Sequence, residues 1–247
     1  MKTLISAALF LVLASCSAKK EVNKITVAAA ASTQFAINEI ARDFEKENDV
    51  KIEVITGSSG KLTTQILNGA PYDIFFSADM MYPQVLFEKN KCLSAPKIYG
   101  LGIPVLWSLD KELIFDEKGK FLLNENIKKI AIGNPKNAPY GRMAVKFYKD
   151  YGIYDSISLK LVYGESISLV NEYILNKTAT IGVSALSVIL SPQVSDKGVY
   201  MVLGEQYRIK QGVVELNNNE TSAIKTKFLA YVFSEKGKKI FKKYGYE

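Results

Sequence analysis

An apolar run at residues 25–31, Ile-Thr-Val-Ala-Ala-Ala-Ala, passes directly into Ser32 and Thr33 and then into Ile37, Ile40, Ala41 and Phe44 at helical spacing. This strand-turn-helix unit recurs along the chain. Residues 51–56 alternate as a strand and 58–67 read as a helix, and 73–76 with 82–89 repeat the pair. A second series opens with the apolar stretch 103–107 and continues with a strand at 129–132 and a helix over about 141–151. It ends with strand 159–163 and helix 166–175, then strand 179–183 and a helix to about 190. Strands separated by whole helices are joined by crossovers, which place them parallel in sheets that helices cover. After 200–203 the alternating stretch 208–216 reads as a strand returning to the first series, and Ile224, Phe228 and Tyr231 share a helical face in the tail. The pattern predicts an α/β chain of two lobes, each a mostly parallel sheet flanked by helices, joined by two β crossovers. Lobe 1 is expected at 24–100 plus 211–247 and lobe 2 at 101–210.

The amino terminus reads as an address. Met1 and Lys2 precede an apolar run at 4–13 of about ten residues, half the roughly 20 that a membrane span requires. Its end, Leu13-Ala14-Ser15-Cys16, resembles the lipobox of bacterial lipoproteins. The resemblance implies a lipoprotein signal peptide over 1–16, lipidation of Cys16, and a polar tether over 17–23. The protein is then expected outside the cytoplasm, periplasmic or at the cell surface, held to a membrane by acyl chains. Cys92 is left without a partner for a disulfide and reads as a small buried hydrophobe.

The chain contains no histidine among its 247 residues. A Ser-His-Asp or Cys-His couple and an imidazole metal ligand are therefore excluded, and no pair of carboxylates suggests acid/base work. The expectation is a binding protein, not an enzyme, with no cofactor and no metal held by direct side-chain ligation. A hydrolase using Ser58 or Ser59 with Lys61 as base is the alternative of a different class, and that pairing makes no recognised motif. The formal net charge of +7 is spread along the chain and names no acidic partner. The lysines of the tail (Lys236, Lys238, Lys239, Lys242, Lys243) read as a solvated helix face, with Phe241 and Tyr244 at core spacing, so no nucleic acid is expected. Trp107, Tyr72 and Tyr82 read as packing residues.

Four junctions carry the chemistry. A tetrahedral oxyanion that holds no proton can only accept hydrogen bonds, so its site needs many donors and no competing carboxylate. Helix N-termini supply such donors, because their first N–H groups have no intrahelical partner and the dipole is positive there. Ala30-Ala31-Ser32-Thr33 is one strand-to-helix junction of small and hydroxyl residues, which a simple helix cap would also explain. Gly57-Ser58-Ser59-Gly60 is a second, and it lacks the spacing and lysine of a P-loop. The third runs from Gly133 to Arg142, where two prolines precede a helix beginning near Tyr140. In the fourth, 164–168, Glu165 must point away from any anion, to solvent or a lobe contact.

Taken in order, AAAAS at 28–32, GSSGKL at 57–62, QILNGAPYDIFFSAD at 65–79, IAIGNPKNAPYGR at 130–142, GESIS at 164–168 and FKKYGY at 241–246 resemble the periplasmic molybdate-binding proteins of ABC importers. The resemblance covers about residues 24–246 and implies the type II solute-receptor fold, with molybdate or tungstate in the cleft between lobes. By position it implies oxyanion binding by hydroxyl and N–H of Ser32 and Ser59, and by the backbone N–H of Tyr140 and Ile167. Some relatives add a tyrosine hydroxyl where this chain has Ala185, so one donor is unassigned; Thr33, Ser166 or the Tyr140 hydroxyl are candidates, and Ser58 is a further possible contact. The resemblance also implies a monomer that delivers its anion to a membrane permease. Another tetrahedral oxyanion, chiefly sulfate, is the alternative ligand; ferric iron is disfavoured by the lack of His and of an adjacent tyrosine pair.

Overall fold

The computed structural model describes residues 23–218 and 223–247, so the signal peptide, Cys16 and most of the tether lie outside the described residues. In chain order the first series is β1 (Asn23–Ala30), α1 (Gln34–Glu47), β2 (Val50–Gly57), α2 (Ser59–Leu67), β3 (Ile74–Phe76), α3 (Met81–Glu88) and β4 (Lys97–Gly102). The chain then enters a second sheet with β5 (Pro104–Ser108), β6 (Ile130–Gly133), α4 (Pro139–Asp150), α5 (Tyr154–Ile157), β7 (Leu161–Gly164), α6 (Ile167–Leu175), β8 (Ile181–Ala185), α7 (Leu186–Ile189) and β9 (Val199–Val202). It returns through β10 (Ile209–Glu215) and closes with α8 (Ala223–Phe233) and α9 (Glu235–Lys243). Strand order is β2-β1-β3-β10-β4 in one sheet and β7-β6-β8-β5-β9 in the other.

Both sheets are mixed. β1 pairs parallel with β2 and β3, and β6 with β7 and β8, as their helical crossovers demand. The antiparallel pairings involve β10 with β3 and β4, and β5 with β8 and β9. These are the strands that pass between sheets: β4 runs into β5 through Ile103, and β9 leads to β10. The sequence pattern does not reveal β4, because Lys97-Ile98-Tyr99-Gly100-Leu101-Gly102 has two glycines and no clean alternation. β7 starts at Leu161, two residues after the expected position, since Leu159 is fully exposed in a 3-10 turn.

Register aligns the junctions. Ala30 at the end of β1 lies opposite Gly57 at the end of β2, so the loops holding Ser32 and Ser58-Ser59 emerge side by side. Gly133 of β6 lies opposite Gly164 of β7, which does the same for the loops entering α4 and α6. Each sheet has an apolar core: Phe44, Phe76, Phe228 and Phe241 lie in the first, and Ile132, Phe147 and Tyr148 in the second. A further cluster joins Ala30, Ala31 and Ala78 of the first lobe to Tyr140, Ile167 and Ala185 of the second. Small side chains at that boundary let the two backbones approach. Trp107, Phe241 and Tyr244 are all buried in these cores.

Candidate anion-binding site

The loops after β1, β2, β6 and β7 meet around a small cavity. Ser32, Ser59, Tyr140 and Ile167 all line it, with Ser58 and Ser166 beside them. No side chain of the lining carries a charge. Three helices begin here: Ser59 is the first residue of α2, Tyr140 the second of α4, and Ile167 the first of α6. Their N–H groups fall in the first helical turn, where no intrahelical acceptor exists, and the dipoles add partial positive charge.

The hydroxyls play different parts. Ser59 Oγ accepts a hydrogen bond from Ala78 N–H at 2.9 Å, so its own proton is free to be donated. Ser32 is 2% exposed, and its Oγ makes no hydrogen bond. Its carbonyl is occupied by Ser187 Oγ at 2.6 Å and Tyr246 Oη at 3.1 Å, which fixes the Ser32 peptide. Ser58 and Ser166 serve as N-caps, each accepting from the N–H three residues on, of Lys61 and Leu169, at 3.4 Å. Thr33 is fully buried and lies outside the lining, with Oγ1 2.9 Å from Tyr99 Oη. Ala185, also buried, presents no donor side chain.

Beneath Ser32 lies a buried polar chain. Tyr99 Oη lies 2.5 Å from Gln211 Oε1 and 3.0 Å from Ser77 O, two acceptors for its one proton, and Gln211 Nε2 donates to Tyr140 Oη at 2.9 Å. Burial, the neighbouring Tyr246 hydroxyl and other nearby groups push the Tyr140 and Tyr99 hydroxyls well above the ordinary phenol range, against smaller opposing effects from their hydrogen bonds. Both therefore stay neutral hydrogen-bond donors.

Across the mouth the lobes are latched in a closed arrangement. Gly60 N–H donates to Asn137 O at 3.0 Å, Gln34 Nε2 to Ser168 Oγ at 3.2 Å, and Tyr82 Oη to Lys136 O at 3.3 Å. Lys61 Nζ pairs with Glu165 at 2.8 Å, so the carboxylate of the fourth junction points to a lobe contact. Arg142 pairs with Asp79. Sequence reasoning missed Ala78, Gln211 and the Asp79–Arg142 pair. The signals available were a polar Gln inside an otherwise apolar inward-facing strand segment, and opposite charges in two adjacent junctions. Among the described residues no group of His, Cys, Asp and Glu could hold a metal ion, and no helix is long and apolar enough to cross a membrane. Cys92 is a free thiol whose pKa burial pushes up to about 11.

A cavity of neutral donors at converging helix N-termini suits an acceptor-only anion, and comparison with known proteins agrees. The family model described as bacterial extracellular solute-binding protein matches residues 25–247. The molybdate-binding protein ModA of Rhodobacter capsulatus is 33% identical over 225 residues, covering 90% of this chain and 88% of that protein. ModA of Azotobacter vinelandii is 30% identical over 237 residues, covering 95% and 93%. The solved structure of the periplasmic molybdate-binding protein of Azotobacter vinelandii superposes with a TM-score of 0.85 at 28% identity, covering 90% of this chain and 98% of that one. The chain belongs to the bacterial extracellular solute-binding proteins and, among them, to the family of the molybdate-binding protein ModA.

Proposed function

We propose that this protein is an extracytoplasmic, lipid-anchored receptor that binds molybdate or tungstate in the closed cleft and delivers it to an ABC importer. The observation that supports the reading is the uncharged cavity: Ser32, Ser59, Tyr140 and Ile167 line one small space, and Ser59, Tyr140 and Ile167 stand in the first turns of their helices. The anion would be held by hydroxyl and N–H donors from both lobes, 24–100 plus 211–247 and 101–210, so that binding and closure are one event. A smaller sulfate would leave some buried donors without acceptors, at about 1–3 kcal/mol each. Cys16 would carry the lipid, with 17–23 as tether, and the receptor would act as a monomer on its membrane permease. The receptor would bind and release its anion without a cofactor and without catalysing a reaction.

A thermal-shift series on protein beginning at Ser17 tests this, with molybdate, tungstate, sulfate and phosphate. Ligand at ~1,000 times its Kd adds about 4.1 kcal/mol, which is roughly 8–16 °C for a chain of this size. Shifts with molybdate and tungstate alone support the proposal; a shift with sulfate instead would keep the cleft and replace the anion.

A further inference from the structure

We propose that Ser187, on α7, is a positioning residue for the anion site: its hydroxyl holds the Ser32 peptide and so aims a Ser32 hydroxyl that has no hydrogen-bond partner of its own. The proposal rests on the oxyanion reading of the cavity and adds to it the group that places one donor.

The two serines of the cavity are held in different ways. Ser59 Oγ is fixed directly, by the hydrogen bond that it accepts from Ala78 N–H at 2.9 Å. Ser32 Oγ is buried and makes no hydrogen bond, so its direction is inherited from its backbone. That backbone is pinned on either side: Ala31 N–H donates to Gly57 O at 2.9 Å, and Thr33 N–H to Ala30 O at 2.7 Å. Between them stands the Ser32 carbonyl, to which Ser187 Oγ donates at 2.6 Å, the short end of the range for a hydroxyl donor. Tyr246 Oη also lies within reach of that carbonyl, at 3.1 Å, but Thr33 Oγ1 at 3.4 Å is a rival acceptor for its one proton. Ser187 is the firmer hold.

Ser187 can serve this way because α7 is itself held. Leu186 N–H donates to Ile103 O at 2.8 Å, which fastens the start of α7 to the link between β4 and β5. The chain beyond α9 packs against it so closely that a Cβ on Gly245 would fall 2.8 Å from Leu186 Cδ2 and 3.0 Å from Leu190 Cδ1. Ser187 is buried and does not line the cavity, so it acts on the anion only through Ser32. It follows β8 of the second sheet, whereas Ser32 follows β1 of the first, so an element of one lobe places a donor of the other. A donor aimed before the anion arrives spares binding the cost of ordering it.

Calorimetric titration with sodium molybdate of Ser187→Ala in three backgrounds, wild type, Ser32→Ala and Ser59→Ala, tests this. The expected loss of affinity in the wild type is about five- to thirtyfold, the scale of one buried hydrogen bond. It should be as large in Ser59→Ala, because the Ser59 hydroxyl is placed independently, and below about twofold in Ser32→Ala, where no hydroxyl is left to aim. A purely structural role would weaken binding by one factor in all three backgrounds, and that result, or wild-type affinity in Ser187→Ala, overturns the proposal. If Ser187→Ala does not fold, Ser187→Cys makes the same comparison with a weaker donor on the same stem. A loss of at least about threefold in the wild type and in Ser59→Ala, but not in Ser32→Ala, then supports the proposal, and any other pattern overturns it. Wild-type protein that ignores molybdate would overturn the oxyanion reading itself, whereas binding that does not depend on Ser187 overturns this inference alone.

Discussion

Arg142 of α4 reaches across the cleft to the Asp79 carboxylate and lies over the Tyr82 ring, 5.2 Å from its centroid. The same guanidinium donates to Tyr82 Oη at 3.2 Å and to Pro135 O at 3.4 Å. Asp79 is itself held, accepting from Ser77 Oγ at 3.2 Å and from Tyr82 N–H at 3.3 Å. One side chain thus ties the loop after β3 to the first turn of α4, next to the Tyr140 N–H. The Lys61–Glu165 pair spans the same mouth, but both side chains are half exposed, 50% and 53%.

These two pairs should differ in weight. Arg142→Ala is expected to speed molybdate release by about tenfold, because it removes a hydrogen-bonded pair that is mostly shielded from water. Glu165→Gln should change release by less than about threefold, as exposed pairs contribute about 0–1 kcal/mol. Stopped-flow fluorescence of Trp107, the chain's one tryptophan, measures both rates. Equal rates for the two variants would remove the distinction.

Ser59→Ala and Ser32→Ala should each weaken molybdate binding by about 1.5–3 kcal/mol, the range for hydrogen bonds to charged groups. Ser59→Ala also strips Ala78 N–H of its acceptor, so its apo form should be the less stable of the two. Calorimetry and urea denaturation read these two quantities separately.

Gly60 sits where the lobes touch. A Cβ there would fall 2.7 Å from Asn137 Cβ, 2.7 Å from Tyr82 Oη and 2.9 Å from Asn137 Cα, contacts that the closed form cannot absorb without shifting backbone. Gly60→Ala is therefore expected to leave each lobe folded, to hold the cleft partly open, and to cut affinity by more than about tenfold through the overpacking cost. Small-angle scattering with and without molybdate should show compaction in the wild type and little in the variant.

Affinity should be flat between about pH 6.5 and 9, because no histidine exists and no charged side chain lines the cavity. Stability should instead fall in alkali. The Tyr207, Tyr231 and Tyr244 hydroxyls are pushed up to about 12, by burial first and then by hydrogen bonds to Asp150, Asp43 and Glu39. The folded state keeps these protons at a pH where the unfolded chain has lost them, so stability is complete below about pH 10 and declines from there toward 12. Urea midpoints across that window, beside the tyrosinate absorbance at each pH, check the sign.

The sequence pattern carried the elements because buried parallel strands are continuous apolar runs and their helices show a clear period. It also carried the meeting of Ser32, Ser59, Tyr140 and Ile167 around one cavity, since they stand at strand-to-helix junctions that are legible locally: a small or hydroxyl residue, then a helix start. What it could not carry depends on residues distant in sequence. Thr33 follows Ser32 directly, yet its hydroxyl turns toward Tyr99, 66 positions away, and not into the cavity. Gln211 gives no sign of meeting Tyr140, because that contact exists only when β10 inserts between β3 and β4 and the lobes close. The antiparallel half of each sheet was hidden for the same reason: crossover strands look locally like any others.

The most direct measurement is a crystal structure of the molybdate complex with anomalous data collected above the molybdenum edge. One strong peak is expected in the cavity between the two sheets, with the anion's oxygens within hydrogen-bonding distance of Ser32 Oγ, Ser59 Oγ and the N–H groups of Ser59, Tyr140 and Ile167. A peak elsewhere, or a peak in this cavity whose oxygens are held by charged side chains, would contradict the assignment of the site.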